Sequence, residues 1–148
     1  MKTSILAVLV FSTVIASPCH GQSSDAAVLV DRYLTLDRAR QAQGATAGDV
    51  DRVLALLTDS VVYEHPRAGA RLQGKATLRD GMLRFIGSIR SARDSIIERT
   101  SAPGVEVIVT ETHAEALRDG NWTPFSRRAL RVFETDGQLI RRVIEYGW

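Results

Sequence analysis

The sequence predicts an α+β fold, with three N-terminal helices packed on a curved, mainly antiparallel sheet. Two observations carry this. Apolar residues recur at helical spacing as far as about residue 89, whereas after Arg90 β-branched residues alternate with polar ones. The later stretches are also separated by Asp119-Gly120 and Asp136-Gly137, a strong hairpin signal. Helices segregated from strands pack as a layer on one face of the sheet. The result is a cone-shaped α+β barrel whose wide end can hold a small molecule.

The elements follow in order. Residues 1–21, "MKTSILAVLVFSTVIASPCHG", run from Lys2 through an apolar stretch over Ile5–Ala16 to small and polar residues, as a secretory signal peptide does. Small residues end at both Ala16 and Gly21, so the cleavage point stays open. The apolar run is short of the roughly 20 residues a membrane span needs. Pro18 stands where a lipid-modified Cys19 would want a small residue. The chain is therefore expected to be secreted or periplasmic, with residues 22–148 as one domain. Cys19 is the sole cysteine, so no internal disulfide staples the fold.

The first helix is expected from Asp25 to about Gln41, with Ala26, Val28, Leu29, Tyr33, Leu36 and Ala39 apolar. Two glycines in "QGATAGD" interrupt it. A second helix runs from about Asp49 to Leu57, with Val50, Val53, Leu54 and Leu57 on one face. "VVYEH" is a short strand, and a loop with Pro66, Gly69 and Gly74 follows. "KATLRDGMLRFIGSI" aligns Leu78, Met82, Phe85 and Ile89 as a third helix, despite Gly81. "DSIIERT", "VEVIVTETHAEAL", "FSRRALRVFE" and "QLIRRVIEYGW" then form about four antiparallel strands.

Charge excludes one class of function. The chain carries 19 Lys+Arg against 17 Asp+Glu, and removing residues 1–21 removes only Lys2 from these counts, leaving a net charge of +1. The basic residues are scattered among acids, which does not point to nucleic acid. No Gly-rich phosphate loop, CxxC pair or HExxH occurs. The few histidines lack ligand spacing, so no metal is expected.

The stretches "DVDRVLALLTDSVVYEHP", "LQGKATLRDGM" and "VFETDGQLIRRVIEYGW" resemble the nuclear transport factor 2-like superfamily, in particular its SnoaL-like and ketosteroid-isomerase-like branches. The resemblance spans essentially all of residues 22–148. It implies that His65 stands where isomerases of the family carry a general-base aspartate. An imidazole with an unperturbed pKa of about 6.5 can carry protons there. It implies that Tyr33 corresponds to a tyrosine that donates to a developing oxyanion, a role that needs a dry, aimed donor. Core packing is the competing reading for that ring. It also implies that Ala129 replaces a buried acid of those isomerases, so steroid isomerisation is not expected.

Strand alternation extends the site. If Ala129 faces inward, so do Arg127 and Arg131. On the neighbouring strand Thr112, Ala114 and Ala116 form the less charged row, whereas Glu111, His113 and Glu115 face solvent or a partner. Glu64 points opposite to His65. The last strand is ambiguous: periodicity buries Ile140, Ile144 and Tyr146, whereas the resemblance turns Arg141, Val143 and Glu145 inward. Covering of the outer sheet face by a second subunit, in a homodimer, would reconcile the two. Arg127 and Glu145 then form an ion pair in the cone, or Arg127 holds an anionic ligand, or both are edge charges in water. The expected substrate-binding set is Arg127, Glu145, Thr112 and Ala129, with His65 and Tyr33 catalytic and no cofactor. The functional class stays open between a small-molecule isomerase, cyclase or hydrolase, a non-catalytic binding module, and an interaction protein with a filled cone.

Overall fold

The computed structural model describes residues 25–147. The expected signal peptide, Cys19 and Trp148 fall outside the described residues. Three helices, α1 (Asp25–Gln41), α2 (Ala47–Leu54) and α3 (Lys75–Leu83), pack on a sheet of six strands. These are β1 (Leu57–His65), β2 (Ala70–Gln73), β3 (Ile89–Ala102), β4 (Val105–Arg118), β5 (Asn121–Asp136) and β6 (Leu139–Gly147). A single 3-10 turn at Pro66–Ala68 joins β1 to β2. The strand order is β2-β1-β6-β5-β4-β3. Every neighbouring pair is antiparallel except β1 with β6, which is parallel. No helix among the described residues is long and apolar enough to cross a membrane.

The expected helix spans need correction at their C-terminal ends. α2 stops at Leu54, and Leu57 belongs to β1. Both Leu54 and Leu57 are buried, so the apolar row continues across the change of backbone and periodicity cannot see it. The sheet decides the point: the Leu56 carbonyl accepts from Ile140 N at 2.9 Å, and Leu57 pairs with Ile140. α3 stops at Leu83, because the Phe85 amide turns back to the Met82 carbonyl and the Ser88 hydroxyl caps the Phe85 carbonyl at 2.7 Å. Ile89 therefore starts β3 instead of ending a helix. The loop expected after His65 contains β2, which pairs back on β1 from Gln73 to Ala70.

The core lies between the helices and the inner sheet face. Val30 and Tyr33 of α1, Val50, Val53 and Leu54 of α2, and Leu78 and Met82 of α3 meet Leu57, Val61, Ile108, Phe133, Ile140 and Val143. Tyr33 sits edge-on to Phe133, with ring centroids 5.4 Å apart. A fully buried aromatic of this kind is a large hydrophobic contribution. Gly81 lets α3 approach β2, since a Cβ there would stand 3.0 Å from Leu72 Cδ1.

Register explains the conflict over the last strand. Thr135 pairs with Ile140, yet Glu134 pairs with Arg142, so Arg141 is an extra residue in β6. Such a bulge shifts the alternation by one. Ile140 faces inward before it, and Val143 and Glu145 face inward after it, while Ile144 and Tyr146 turn outward. Both sequence expectations hold in part, one on each side of Arg141.

The outer face carries what alternation assigns to it. His113 is exposed beside Glu111 and accepts or donates a hydrogen bond at Ser126 Oγ, 2.8 Å away. Glu64 points outward and binds Arg142 at 2.7 Å. Trp122 lies under the Arg90 guanidinium, 4.6 Å from its ring centroid, in a cation–π contact.

Candidate functional site

A cavity of about 970 Å³ opens between α1, the end of α3 and the inner face of the sheet. Leu34, Leu72, Phe85, Ile89, Ile96 and Phe125 supply its apolar wall. Its polar floor comes from β1, β5 and β6. Tyr63 and His65 are two residues apart on β1, so both face the cavity with their Cα atoms roughly 6.5 Å apart. On β5, Arg127 and Arg131 flank the buried Ala129 on the inward face.

Glu145 ties this floor together. One of its oxygens accepts from Arg127 Nη2 and the other from Arg131 Nε at 2.7 Å. The carboxylate is 7% exposed, so it needs both partners. A row of second contacts rims the cavity. The Asp37 carboxylate accepts from Arg40 Nε at 2.8 Å and from Gln41 at 2.9 Å, all on α1. Asp94 of β3 receives a fork from Arg38 and the Thr112 hydroxyl at 2.6 Å. Asp31 pairs with Arg99.

Burial tunes the ionisable groups. Desolvation, then the Asp37 charge, holds the Tyr63 phenol above its usual value, against the pull of Arg131 and Arg127. Tyr33 is raised further, by the same two causes in the same order. Burial, then the neighbouring Arg131, pushes Arg127 below the usual guanidinium value. Both tyrosines are therefore held as neutral hydrogen-bond donors. His65 Nδ1 is buried and has no hydrogen-bond partner among the described residues. Also among those residues, no group of three His, Cys, Asp or Glu side chains could hold a metal ion.

The structure brings together His65, Arg127, Glu145 and Thr112, which all line the cavity. Ala129 lies beneath the floor at 1% exposure, its carbonyl accepting from Thr110 Oγ1 at 3.4 Å. Tyr33 does not line the cavity; its ring is in the core against Phe133. Tyr63 is the phenol that reaches the cavity. It was legible as the residue two before His65 on the same strand face. Asp37 and Gln41 were legible too, four and eight residues after Tyr33 on one helix face.

The SnoaL-like domain family matches residues 39–143. Among solved structures, a protein from Shewanella denitrificans assigned as a SnoaL-like polyketide cyclase superposes with a TM-score of 0.70 at 10% identity, covering 86% of this chain and 92% of its own. A protein from Rhodopseudomonas palustris assigned as an isomerase gives 0.66 at 13% identity, over 80% and 88% of the two chains. An LEH-like epoxide hydrolase of M. tuberculosis gives 0.64 at 20% identity, over 84% of each. No functionally curated protein matches the sequence.

Two outcomes are expected from the floor. Glu145→Gln leaves two guanidiniums facing each other and should cost about 2–4 kcal/mol in urea unfolding, less than a fully buried pair because Arg127 is partly exposed. Arg127→Met leaves Glu145 paired with Arg131 and should cost under about 1 kcal/mol; equal losses would refute the shared-carboxylate account. Tyr33 and Tyr63 should stay protonated as pH passes 10 in an absorbance titration. Their folded values exceed the unfolded one, so the unfolded chain loses its protons first. Stability is thus unaffected by these groups below about pH 10 and falls above it.

Proposed function

The chain belongs to the SnoaL-like domain family, and on that premise we propose that its cavity binds a small organic molecule and performs acid/base chemistry on it. The observation that carries this reading is the pairing of His65 and Tyr63 on one face of β1 beside the Arg127–Glu145–Arg131 floor. His65 takes a proton from the bound molecule or from water and later returns it. Tyr63, kept protonated by burial, donates a hydrogen bond to oxygen as negative charge develops there. The structural neighbours named as cyclase, isomerase and epoxide hydrolase share this fold, and the proposed chemistry is of the kind such names describe. Purified protein should convert a member of a panel of epoxides, unsaturated ketones and poly-β-keto esters. His65→Ala should lower kcat/KM at least about 100-fold. A variant that turns over as fast as the native protein removes His65 from the mechanism.

One observation favours a second reading, a binding module that holds its ligand unchanged. Every carboxylate lining the cavity is already engaged: Asp31 by Arg99, Asp37 by Arg40, Asp94 by Arg38, and Glu145 by two arginines. None is left free to act as a base. Binding of a panel compound without conversion would support it.

We further propose that a second copy of the chain covers the outer sheet face. Val107, Val132 and Ile144 pair in one row across β4, β5 and β6, and Val109, Leu130 and Tyr146 in the next. Tyr146 is 38% exposed. Mixed charges edge this apolar surface on both sides, with Arg128 on Glu111 at one end and Arg141 and Arg142 on Glu134 at the other. A patch bordered by both signs at each end can complement itself about a two-fold axis. Sedimentation should give a dimer, and Val132→Glu a monomer with an unchanged circular dichroism spectrum. A monomer at all concentrations for the native protein would sink this arrangement.

A further inference from the structure

Two of the cavity's arginines pair one to one, and its floor does not. Arg38 is matched by Asp94 and Arg40 by Asp37, but Arg127 and Arg131 share the single carboxylate of Glu145. The floor therefore holds one surplus positive charge. The opposite surplus, Asp31 and Glu106 on Arg99, sits beside β3. Arg99 pairs with Ile108 and Arg127 with Thr112, so the two surpluses are four residues apart along β4, roughly 13 Å.

Arg127 is the member of the floor that remains available. Among the described residues its one hydrogen-bond partner is Glu145, which occupies Nη2. Its side chain is 38% exposed, against 15% for Arg131. Burial without a full counter-charge leaves its guanidinium less favoured than in water, a cost that a bound anion relieves.

Beside it lies a glycine. Gly147 follows Val143 and Glu145 on the inward face of β6, after the bulge. A Cβ there would stand 3.2 Å from Arg127 Nε and 3.7 Å from His65 Nε2. With no side chain at Gly147, the Arg127 guanidinium packs against the β6 backbone, and it and the His65 imidazole nitrogen flank one point of the cavity floor. An apolar wall that includes Leu72 and Phe125 belongs to the same cavity.

We propose that this part of the floor is a carboxylate site, and that the cavity takes an organic carboxylate whose charged end lies on the Arg127 guanidinium beside His65 and whose apolar body lies along the wall. This rests on the reading of the cavity as a small-molecule site and specifies its ligand class. Arg127 supplies planar donors matched to a carboxylate. A neutral molecule of the same shape gains the wall and leaves the surplus charge unmatched.

Isothermal titration of the full chain, at low salt and pH 7.5, with 1-naphthylacetate and its neutral isostere 1-naphthylacetamide tests this. The acid should bind at least tenfold more tightly than the amide. Gly147→Ala adds a Cβ that displaces the Arg127 guanidinium, and its φ is not in the left-handed region. It and Arg127→Met should both abolish the preference, bringing the affinity for the acid down to that for the amide. Equal binding of acid and amide by the native protein, or a preference that survives both substitutions, overturns the carboxylate site and leaves the cavity reading standing. Binding of neither probe overturns both.

Discussion

One extra residue in β6 decides which side chains of that strand face the cavity. Arg141 has no partner in the pairing of β6 with β5, and the alternation of the strand changes phase there. Before it, Ile140 is in the core; after it, Val143, Glu145 and Gly147 point inward. Without the phase change Glu145 would face solvent and the inward-facing Arg127 and Arg131 would lack their carboxylate. Desolvating two guanidiniums with no counter-charge costs several kcal/mol, so the bulge and the floor stand or fall together. The outward turn of Arg141 and Arg142 has its own partners, Glu134 and Glu64.

The inner face of the sheet divides into two regions with different physics. Toward the α2 end, Val50, Val53, Leu57, Val61, Ile140 and Phe133 fill the space between layers, and burial of that apolar area stabilises the fold with no disulfide. Toward the α1 C-terminus the helix carries Asp37, Arg40 and Gln41, whose polar heads face the cavity and satisfy one another. Long polar side chains on a helix cannot interdigitate with Arg127 and Arg131 as valines do. The layers are held apart there and a cavity persists. The packed core and the cavity are thus separated along the same helix.

The sheet edges are handled by charge. β3 is an edge strand exposed along most of its length, and it carries Arg93, Asp94, Glu98 and Arg99. Charged edges discourage pairing with other chains. Two of these residues also tie the edge to α1, through Asp94 with Arg38 and Arg99 with Asp31. The other edge is the four-residue β2, and inside it the parallel pairing of β1 with β6 brings His65 beside Gly147.

The α+β class and the span of α1 were readable from local periods of two and 3.6, whereas the cavity position of His65 and, through Ala129, the inward row of Arg127 and Arg131 came from the family resemblance. The ends of α2 and α3 were not readable, since buried leucines continue the apolar row where the backbone changes. Nor was the choice between two tyrosines: the resemblance implies Tyr33 as the site phenol, yet Phe133 meets it in the core, and Tyr63 lines the cavity. Periodicity reports which side chains share a face within one element. It carries nothing on register between elements, and register is where the bulge at Arg141, the shared carboxylate of Glu145 and the placement of Gly147 against Arg127 were decided.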